Sequence, residues 1–183
     1  GRTLGLRADT TPQVARIDAH LLNRAGVTRL CYCGPVLHTR PDRPFATREP
    51  LQFGAEIYGH AGLEADLEVL HLGLDSLKAV SIQHCTVDLS DARIVPALLS
   101  GVTLSAETRD ALHSALAAKD TSGVLALAKD LPAHVRTALS ALSGMYGDVS
   151  VLTQAEKAFA AWPVVLQAMA ELRQIAADLS DVT

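Results

Sequence analysis

The sequence has no long apolar run and no large excess of charge of either sign. Apolar runs such as Val124–Ala128 and Phe159–Trp162 are far shorter than the roughly 20 residues that a membrane-spanning helix needs. Sixteen lysines and arginines against twenty aspartates and glutamates give a formal net charge of −4, and there is no polybasic arm. We therefore expect no membrane partner and no nucleic-acid partner.

Cysteine is also scarce, with three in 183 residues. A small, odd number is typical of free thiols in a reducing compartment, so we expect a cytoplasmic protein. Cys31 and Cys33 alternate along a predicted strand and lack the two-residue spacing of zinc sites, which favours buried free thiols. No histidine pair has metal-ligand spacing, and there is no phosphate-binding glycine loop or nucleophile elbow. The sequence thus predicts neither a metal nor a cofactor.

Apolar residues are abundant, at 49% of the chain, which excludes a wholly disordered protein. Residues 1–89 alternate strand and helix signals, whereas 90–183 are Ala/Leu-rich helical segments with short breaks. We therefore predict an α+β fold with two domains that meet between residues 89 and 90. The first holds an antiparallel sheet flanked by helices, and the second is a small all-helical domain or insertion.

Local patterns predict the individual elements. Alternating or continuous apolar character predicts strands in four segments: Leu4–Ala8, Leu30–Leu37, Leu51–Tyr58 and Ile82–Leu89. In the first half, Thr11 followed by Pro12 is typical of a helix start, and a leucine stripe over 63–77 predicts a second helix. In the second half, caps or prolines at Ser105, Pro132, Thr153 and Pro163 predict helix starts, with Gly123 as a break.

The polar face of the strand Leu51–Tyr58 is the most informative feature. Gln52 and Glu56 lie four positions apart on one side, with Gly54 between them leaving space above the backbone, while the apolar side is expected to be buried on helices. An amide and a carboxylate suit a small ligand that carries an amine or an imidazole N–H. The alternative is a solvated sheet face without function.

Two further polar clusters have both a structural and a functional interpretation. Asp9 and Thr11 lie where a predicted strand meets a helix N-terminus, so they either cap the helix or hold a ligand ammonium group. The loop 38–48 carries His38, Arg40 and two further arginines against a single aspartate, so it either binds phosphate or forms a solvated turn.

Several blocks of the sequence resemble the histidyl-tRNA synthetase family. Residues 6–11 (Leu-Arg-Ala-Asp-Thr-Thr) resemble the family segment Leu-Arg-Pro-Glu-Gly-Thr. Blocks 29–37 (Arg-Leu-Cys-Tyr-Cys-Gly-Pro-Val-Leu) and 52–59 (Gln-Phe-Gly-Ala-Glu-Ile-Tyr-Gly) resemble the second class II synthetase motif in its histidine-specific form, and 65–69 continue the match. The resemblance extends from residue 3 to about 77 and implies a partial class II synthetase-like sheet.

The departures from the family pattern bear on function. Catalytic class II synthetases carry Arg-x-Glu where this sequence has His38-Thr39-Arg40, so the arginine that grips the ATP α-phosphate is missing, as is the glutamate. Imidazole supplies neither the permanent charge nor the two-pronged geometry of a guanidinium. The positions that resemble the histidine pocket persist, as Asp9, Thr11, Gln52 and Glu56. The resemblance implies a histidine sensor with a degenerate ATP motif and no catalytic residues.

This combination resembles the synthetase paralogues that serve as regulatory subunits of ATP phosphoribosyltransferase, the first enzyme of histidine biosynthesis. That resemblance implies a chain that forms dimers, assembles with a short catalytic subunit and is required for its activity and for feedback inhibition by histidine. An active or divergent histidyl-tRNA synthetase is the alternative, and a stand-alone amino-acid-binding or tRNA-binding module is a third possibility. Motifs expected before Gly1 and after Thr183 imply that the chain is an internal fragment.

Overall fold

The computed structural model describes residues 1–40 and 43–180. The chain divides into two compact units, Gly1–Gln83 and His84–Thr183. The first unit contains the sheet and the second is helical, and each is considered by itself. The predicted turn-rich loop 39–44 includes residues 41 and 42, and the predicted last helix approaches 181–183, all of which lie outside the described residues.

The first unit is an antiparallel strand pair with flanking helices. Its elements are α1 (Thr11–Arg16), a π-helical continuation (Ile17–Leu22), β1 (Thr28–Pro35), β2 (Leu51–Tyr58) and α2 (Leu63–Ala79). The strands pair in a register that sets Thr28 opposite Tyr58 and Pro35 opposite Leu51. The predicted antiparallel sheet and leucine-striped helix are confirmed: the side of α2 that carries Leu74 is the side that is buried.

Two predicted strands are wrong. Residues 4–8 and 82–89 have no regular structure, because a strand exists only where a neighbour satisfies its backbone groups. The first segment makes one backbone hydrogen bond to the region after β1, from Leu37 N to Arg7 O over 2.9 Å. The second begins with Ile82, whose N–H closes the end of α2 on Leu77 O over 2.9 Å. The alternation of apolar and polar residues is typical of an extended chain, but it does not show whether a second strand lies beside that chain to pair with it.

The apolar face of β2 is covered only in part, although it was expected to be buried: Ala55 and Ile57 are half-buried, and the first two apolar residues are exposed. Leu51 and Phe53, on the apolar face of β2, are 68% and 62% exposed, whereas Gln52 and Glu56 on the polar face are half-buried. Cys31 and Cys33 share the apolar face by register and are free but exposed, so the prediction of buried thiols is wrong. The segment before β1 contacts the polar face, where Thr10 N donates to Gln52 Oε1 over 2.9 Å.

Helix α1 begins one residue earlier than the sequence indicated. Thr10 is the N-cap, which makes Thr11 the first helical residue and Pro12 the second. Proline is tolerated there because its missing N–H is one that the first turn leaves unpaired. The π-helical continuation ends at Asn23, in the left-handed conformation with φ 38°, before the predicted end at Gly26.

The second unit is a set of short helices. They are α3 (Ile94–Leu98), α4 (Ala106–Ala117), α5 (Thr121–Leu127), α6 (Ala133–Leu142), α7 (Ser150–Ala158) and α8 (Pro163–Ser180). Ser105 caps α4 as predicted, its Oγ accepting from Thr108 N over 3.1 Å. The expected break at Gly123 lies inside α5, which Asp120 caps by accepting from Gly123 N over 2.9 Å. Thr153 lies within α7 rather than at its start.

The helical unit holds most of the apolar core. Its fully buried side chains include Leu98, Leu112, Val124, Leu139 and Phe159. The sheet unit buries few side chains, among them Val14, Thr28, Val36 and Leu74. None of the helices in residues 1–40 and 43–180 is long and apolar enough to cross a membrane.

Candidate ligand site on the polar sheet face

The polar face of β2 combines with one face of β1 because directly opposed residues project to the same side of an antiparallel pair. Gln52 lies opposite Gly34, Gly54 opposite Tyr32, and Glu56 opposite Leu30. The face therefore carries an amide, a phenol and a carboxylate. The start of α1 contacts this same face from above.

Asp9, Thr11 and Gln52 meet in one hydrogen-bond network. Gln52 Nε2 donates to Asp9 Oδ1 over 2.8 Å, and Gln52 Oε1 accepts from Thr10 N over 2.9 Å. Asp9 Oδ1 also accepts from Thr11 N over 3.0 Å. Asp9 thus satisfies an N–H of the first turn of α1, as the capping interpretation predicted, and also joins the sheet face.

The network keeps Asp9 ionised. The hydrogen bond from Gln52, followed by that from the Thr11 backbone, lowers the pKa of the Asp9 carboxyl below its ordinary value. A hydrogen bond to the charged form of an acid favours that form. Asp9 is therefore a fixed negative charge at neutral pH, at the exposed rim of the face.

Tyr32 is a residue of the site that the sequence analysis did not single out. Its hydroxyl lies 3.1 Å from Thr11 Oγ1, at hydrogen-bond distance. A Cβ on Gly54 would stand 2.5 Å from the Tyr32 hydroxyl oxygen and 2.6 Å from Cζ, so the phenol ring lies directly over this glycine. The space that Gly54 was predicted to leave above the backbone is filled by Tyr32, and the presence of an aromatic residue on the neighbouring strand was the available signal.

Glu56 has one oxygen paired and one buried without a partner. Tyr58 donates its hydroxyl to Glu56 Oε2, while Oε1 has no hydrogen-bond partner among the described residues. Burial, followed by the hydrogen bond to Glu56, raises the pKa of Tyr58 to about 12, so the phenol remains a donor through the physiological range. The Thr10 hydroxyl is likewise buried without a partner.

An orphaned carboxylate oxygen is costly unless a donor reaches it, because burial removes the water that would otherwise bind it. An N–H or ammonium group of a ligand is the natural complement. The face therefore offers carboxylate acceptors, at Glu56 and Asp9, to a small molecule that carries N–H groups. Within the described ranges, no three His, Cys, Asp or Glu side chains come together as a metal site would require.

His38 and Arg40 lie away from this network. His38 is half-buried and its backbone N–H donates to Arg48 O over 2.8 Å, which pairs the two ends of the loop. Arg40 is exposed. In the described part of the chain, neither side chain bonds to Asp9, Thr11, Gln52 or Glu56. The structure thus joins the four predicted pocket residues to one sheet face and leaves outside it His38 and Arg40, which the sequence predicts to be a degenerate ATP motif.

The antiparallel strand pair with flanking helices agrees with the class II synthetase-like sheet that the sequence predicts. A model of the histidyl-tRNA synthetase family matches residues 1–183. The chain therefore belongs to the histidyl-tRNA synthetase family.

Similar curated proteins carry the name ATP phosphoribosyltransferase regulatory subunit. The protein of Variovorax paradoxus (strain S110) is 64% identical over 180 residues, which are 98% of this chain and 47% of that protein. Those of Acidovorax sp. (strain JS42) and Burkholderia mallei (strain SAVP1) are 57% and 54% identical over 182 and 181 residues, covering 100% and 99% of this chain and 48% and 47% of theirs. The chain spans about half the length of these relatives.

Proposed function

We propose that this chain is part of a regulatory subunit of ATP phosphoribosyltransferase that binds histidine on the polar sheet face. The observation that carries the proposal is the buried, unpartnered Oε1 of Glu56, on the same face as the Asp9–Gln52 network. The imidazole and ammonium groups of histidine supply N–H donors for carboxylates of this kind. The names of the relatives support the regulatory role.

In this proposal the protein has no chemistry of its own. A cytoplasmic dimer assembles with the short catalytic subunit, is needed for its activity, and transmits histidine feedback as a coupling between two sites. The proposed domains, 1–89 and 90–183, assign the ligand to the first and leave the second without a ligand-binding role.

Mixing experiments test the regulatory role. The protein at its native length should raise the turnover of a short-form ATP phosphoribosyltransferase and co-elute with it, while showing no turnover alone. Histidine should then inhibit the mixture. A mixture that neither co-elutes nor gains activity would contradict the proposal.

A histidyl-tRNA synthetase is the second candidate, favoured by the family to which the chain belongs. We expect no histidine-dependent ATP–pyrophosphate exchange, because His38 stands where the phosphate-gripping arginine belongs and Arg40 replaces the glutamate. Loss of one preorganised charge contact commonly costs roughly 10²–10³ in rate, so loss of two should leave only background. Exchange above background in the native-length protein would favour the synthetase.

A further inference from the structure

Arg7 is held across the end of β1 by two hydrogen bonds. Its Nε donates to Pro35 O over 3.0 Å, and its backbone carbonyl accepts from Leu37 N over 2.9 Å. One bond fixes the backbone and the other fixes the plane of the guanidinium. An exposed arginine would otherwise be free to sample many rotamers.

The guanidinium of Arg7 lies over Gly34, on the polar face of the sheet. Its Nη2 is 3.0 Å from the position that a Cβ of residue 34 would occupy, so the absence of a side chain at Gly34 makes room for it. Gly34 is directly opposite Gln52 in the register. Because opposed positions are only about 5 Å apart at Cβ, the cation of Arg7 lies beside Gln52, which in turn bonds Asp9.

This cation has no acidic partner in the described part of the chain. The bond from Nε to Pro35 is the one side-chain hydrogen bond that Arg7 forms there, and no described carboxylate pairs with it. The terminal nitrogens therefore have no hydrogen-bond partner among the described residues, and their N–H groups are available as a fork. A guanidinium is charged at every physiological pH, and its fork matches a carboxylate with two parallel hydrogen bonds.

We propose that Arg7 binds the carboxylate of the amino acid whose cationic groups meet Asp9 and Glu56, an inference that rests on the proposed histidine site. An amino acid is a zwitterion, so its binding site needs a cation for the carboxylate and anions for the cationic groups. The polar face offers Arg7 as the cation and Asp9 and Glu56 as the anions. A carboxylate suits the site better than a phosphate because it is planar, carries one charge, and is repelled less by the neighbouring carboxylates. Arg7 thus acts as a specificity-determining residue that separates amino acids from amines.

The test compares L-histidine with histamine, which has the same imidazole and amine but no carboxylate. In calorimetry on the native-length protein, Arg7→Gln should weaken L-histidine binding roughly ten- to hundredfold and change histamine binding less than about twofold. Arg7→Lys should recover part of the affinity, since it keeps the charge without the fork. Arg2→Gln, at an exposed arginine of the same segment, is the matched control and should change neither affinity.

Each other outcome overturns the inference in a recognisable way. Equal losses for both ligands, or none, would reject Arg7 as the carboxylate partner while leaving the histidine site intact. Competition by inorganic phosphate that depends on Arg7 would assign the cation to phosphate instead. A wild-type protein that binds no histidine at all would reject both the inference and the proposed site.

Discussion

Tyr58 donates its hydroxyl to one oxygen of Glu56 and leaves the other oxygen buried without a partner. The two residues alternate on the same side of β2, two positions apart, so the strand itself holds the phenol against the carboxylate. The bond occupies one oxygen of Glu56 and leaves the other as a free acceptor on a side chain of the polar face. A ligand that donates to this oxygen would complete its hydrogen bonding.

The first prediction concerns Glu56. Glu56→Gln keeps the shape and removes the charge, so histidine binding should weaken ten- to hundredfold, about 1.4–2.8 kcal/mol. Calorimetry on the native-length protein, alone and with its catalytic partner, measures this, with Glu49→Gln at an exposed glutamate as control. Unchanged histidine affinity would mean that the effector binds elsewhere.

A second prediction concerns Gly54. An added Cβ would stand 2.5 Å from the Tyr32 hydroxyl, so Gly54→Ala should force the rigid ring aside and break its contact with Thr11. Overpacking of this kind costs about 1–3 kcal/mol, and the displaced phenol should also reduce histidine affinity. Chemical denaturation and calorimetry on the same samples measure both effects.

Gly73→Ala is the matched control for that substitution. Gly73 lies in α2 of the same unit, and apart from the backbone of that helix and the two neighbouring residues no described atom is within 4 Å of an added Cβ. Alanine in a helix interior is favoured over glycine by about 0.5–1 kcal/mol, so this variant should be slightly more stable. If both alanine variants gained stability, the assignment of the Tyr32 ring to the space above Gly54 would be wrong.

The third prediction concerns the core of the helical unit. Phe159 is fully buried and meets the ring of Trp162 edge-on, with centroids 6.4 Å apart. Phe159→Ala should lower the free energy of unfolding by about 3–5 kcal/mol, because it removes the buried ring and leaves a cavity. Leu125→Ala, at a partly exposed leucine, should cost less than about 1 kcal/mol.

Trp162 is the single tryptophan of the chain, so its fluorescence reports on this unit. Urea titrations followed at this residue yield both free energies. A loss for Phe159→Ala no larger than that for Leu125→Ala would contradict the assigned core.

The fourth prediction is a pH dependence in the same unit. Arg93 pairs with both Asp91 and Glu171, and its hydrogen bonds lower the pKa of each carboxyl below the ordinary 3.8 and 4.5. A lowered folded-state pKa contributes stability that is complete above the unfolded pKa and is lost as pH falls through the folded one. Wild type should therefore be more stable than Arg93→Gln at pH 7, and the difference should begin to shrink near the ordinary pKa values of 3.8 and 4.5 and be lost as the pH falls through the lowered folded-state values.

Denaturant titrations of both proteins at pH 7 and pH 3, followed by Trp162 fluorescence, measure that difference. Arg136→Gln is the control, since Arg136 bonds a backbone carbonyl, Lys129 O, and pairs with no described carboxylate. A stability difference for Arg93→Gln that stays constant with pH would show that the arginine acts through packing alone.

Local periodicity was sufficient to predict much of the secondary structure. The alternation over Leu51–Tyr58 gave the strand, the leucine stripe gave α2, and Ser105 gave the start of α4. These signals lie within a few residues of the element they predict. Alternation over Leu4–Ala8 misled because a strand also needs a hydrogen-bonded neighbour, which no local pattern supplies.

The same limit applies to the site. Alternation alone placed Gln52 and Glu56 on one side of the strand, and the family resemblance added Asp9 and Thr11. The bond from Gln52 to Asp9 joins residues 43 positions apart, and the ring of Tyr32 over Gly54 depends on the register of two strands. Neither contact could be predicted from the spacing of residues along the sequence, because each joins residues from different segments.

The sequence by itself determined which residues share a face, because the side-chain period of a strand or helix is a property of the local backbone. Only the tertiary structure decided how far each face is covered. The chain before β1 contacts the polar side at Gln52 and Tyr32, whereas Leu51 and Phe53 on the other side are exposed and the free oxygen of Glu56 is buried. It also placed Arg7 above Gly34. The burial of a face depends on the residues that pack against it, and those residues are distant in the sequence.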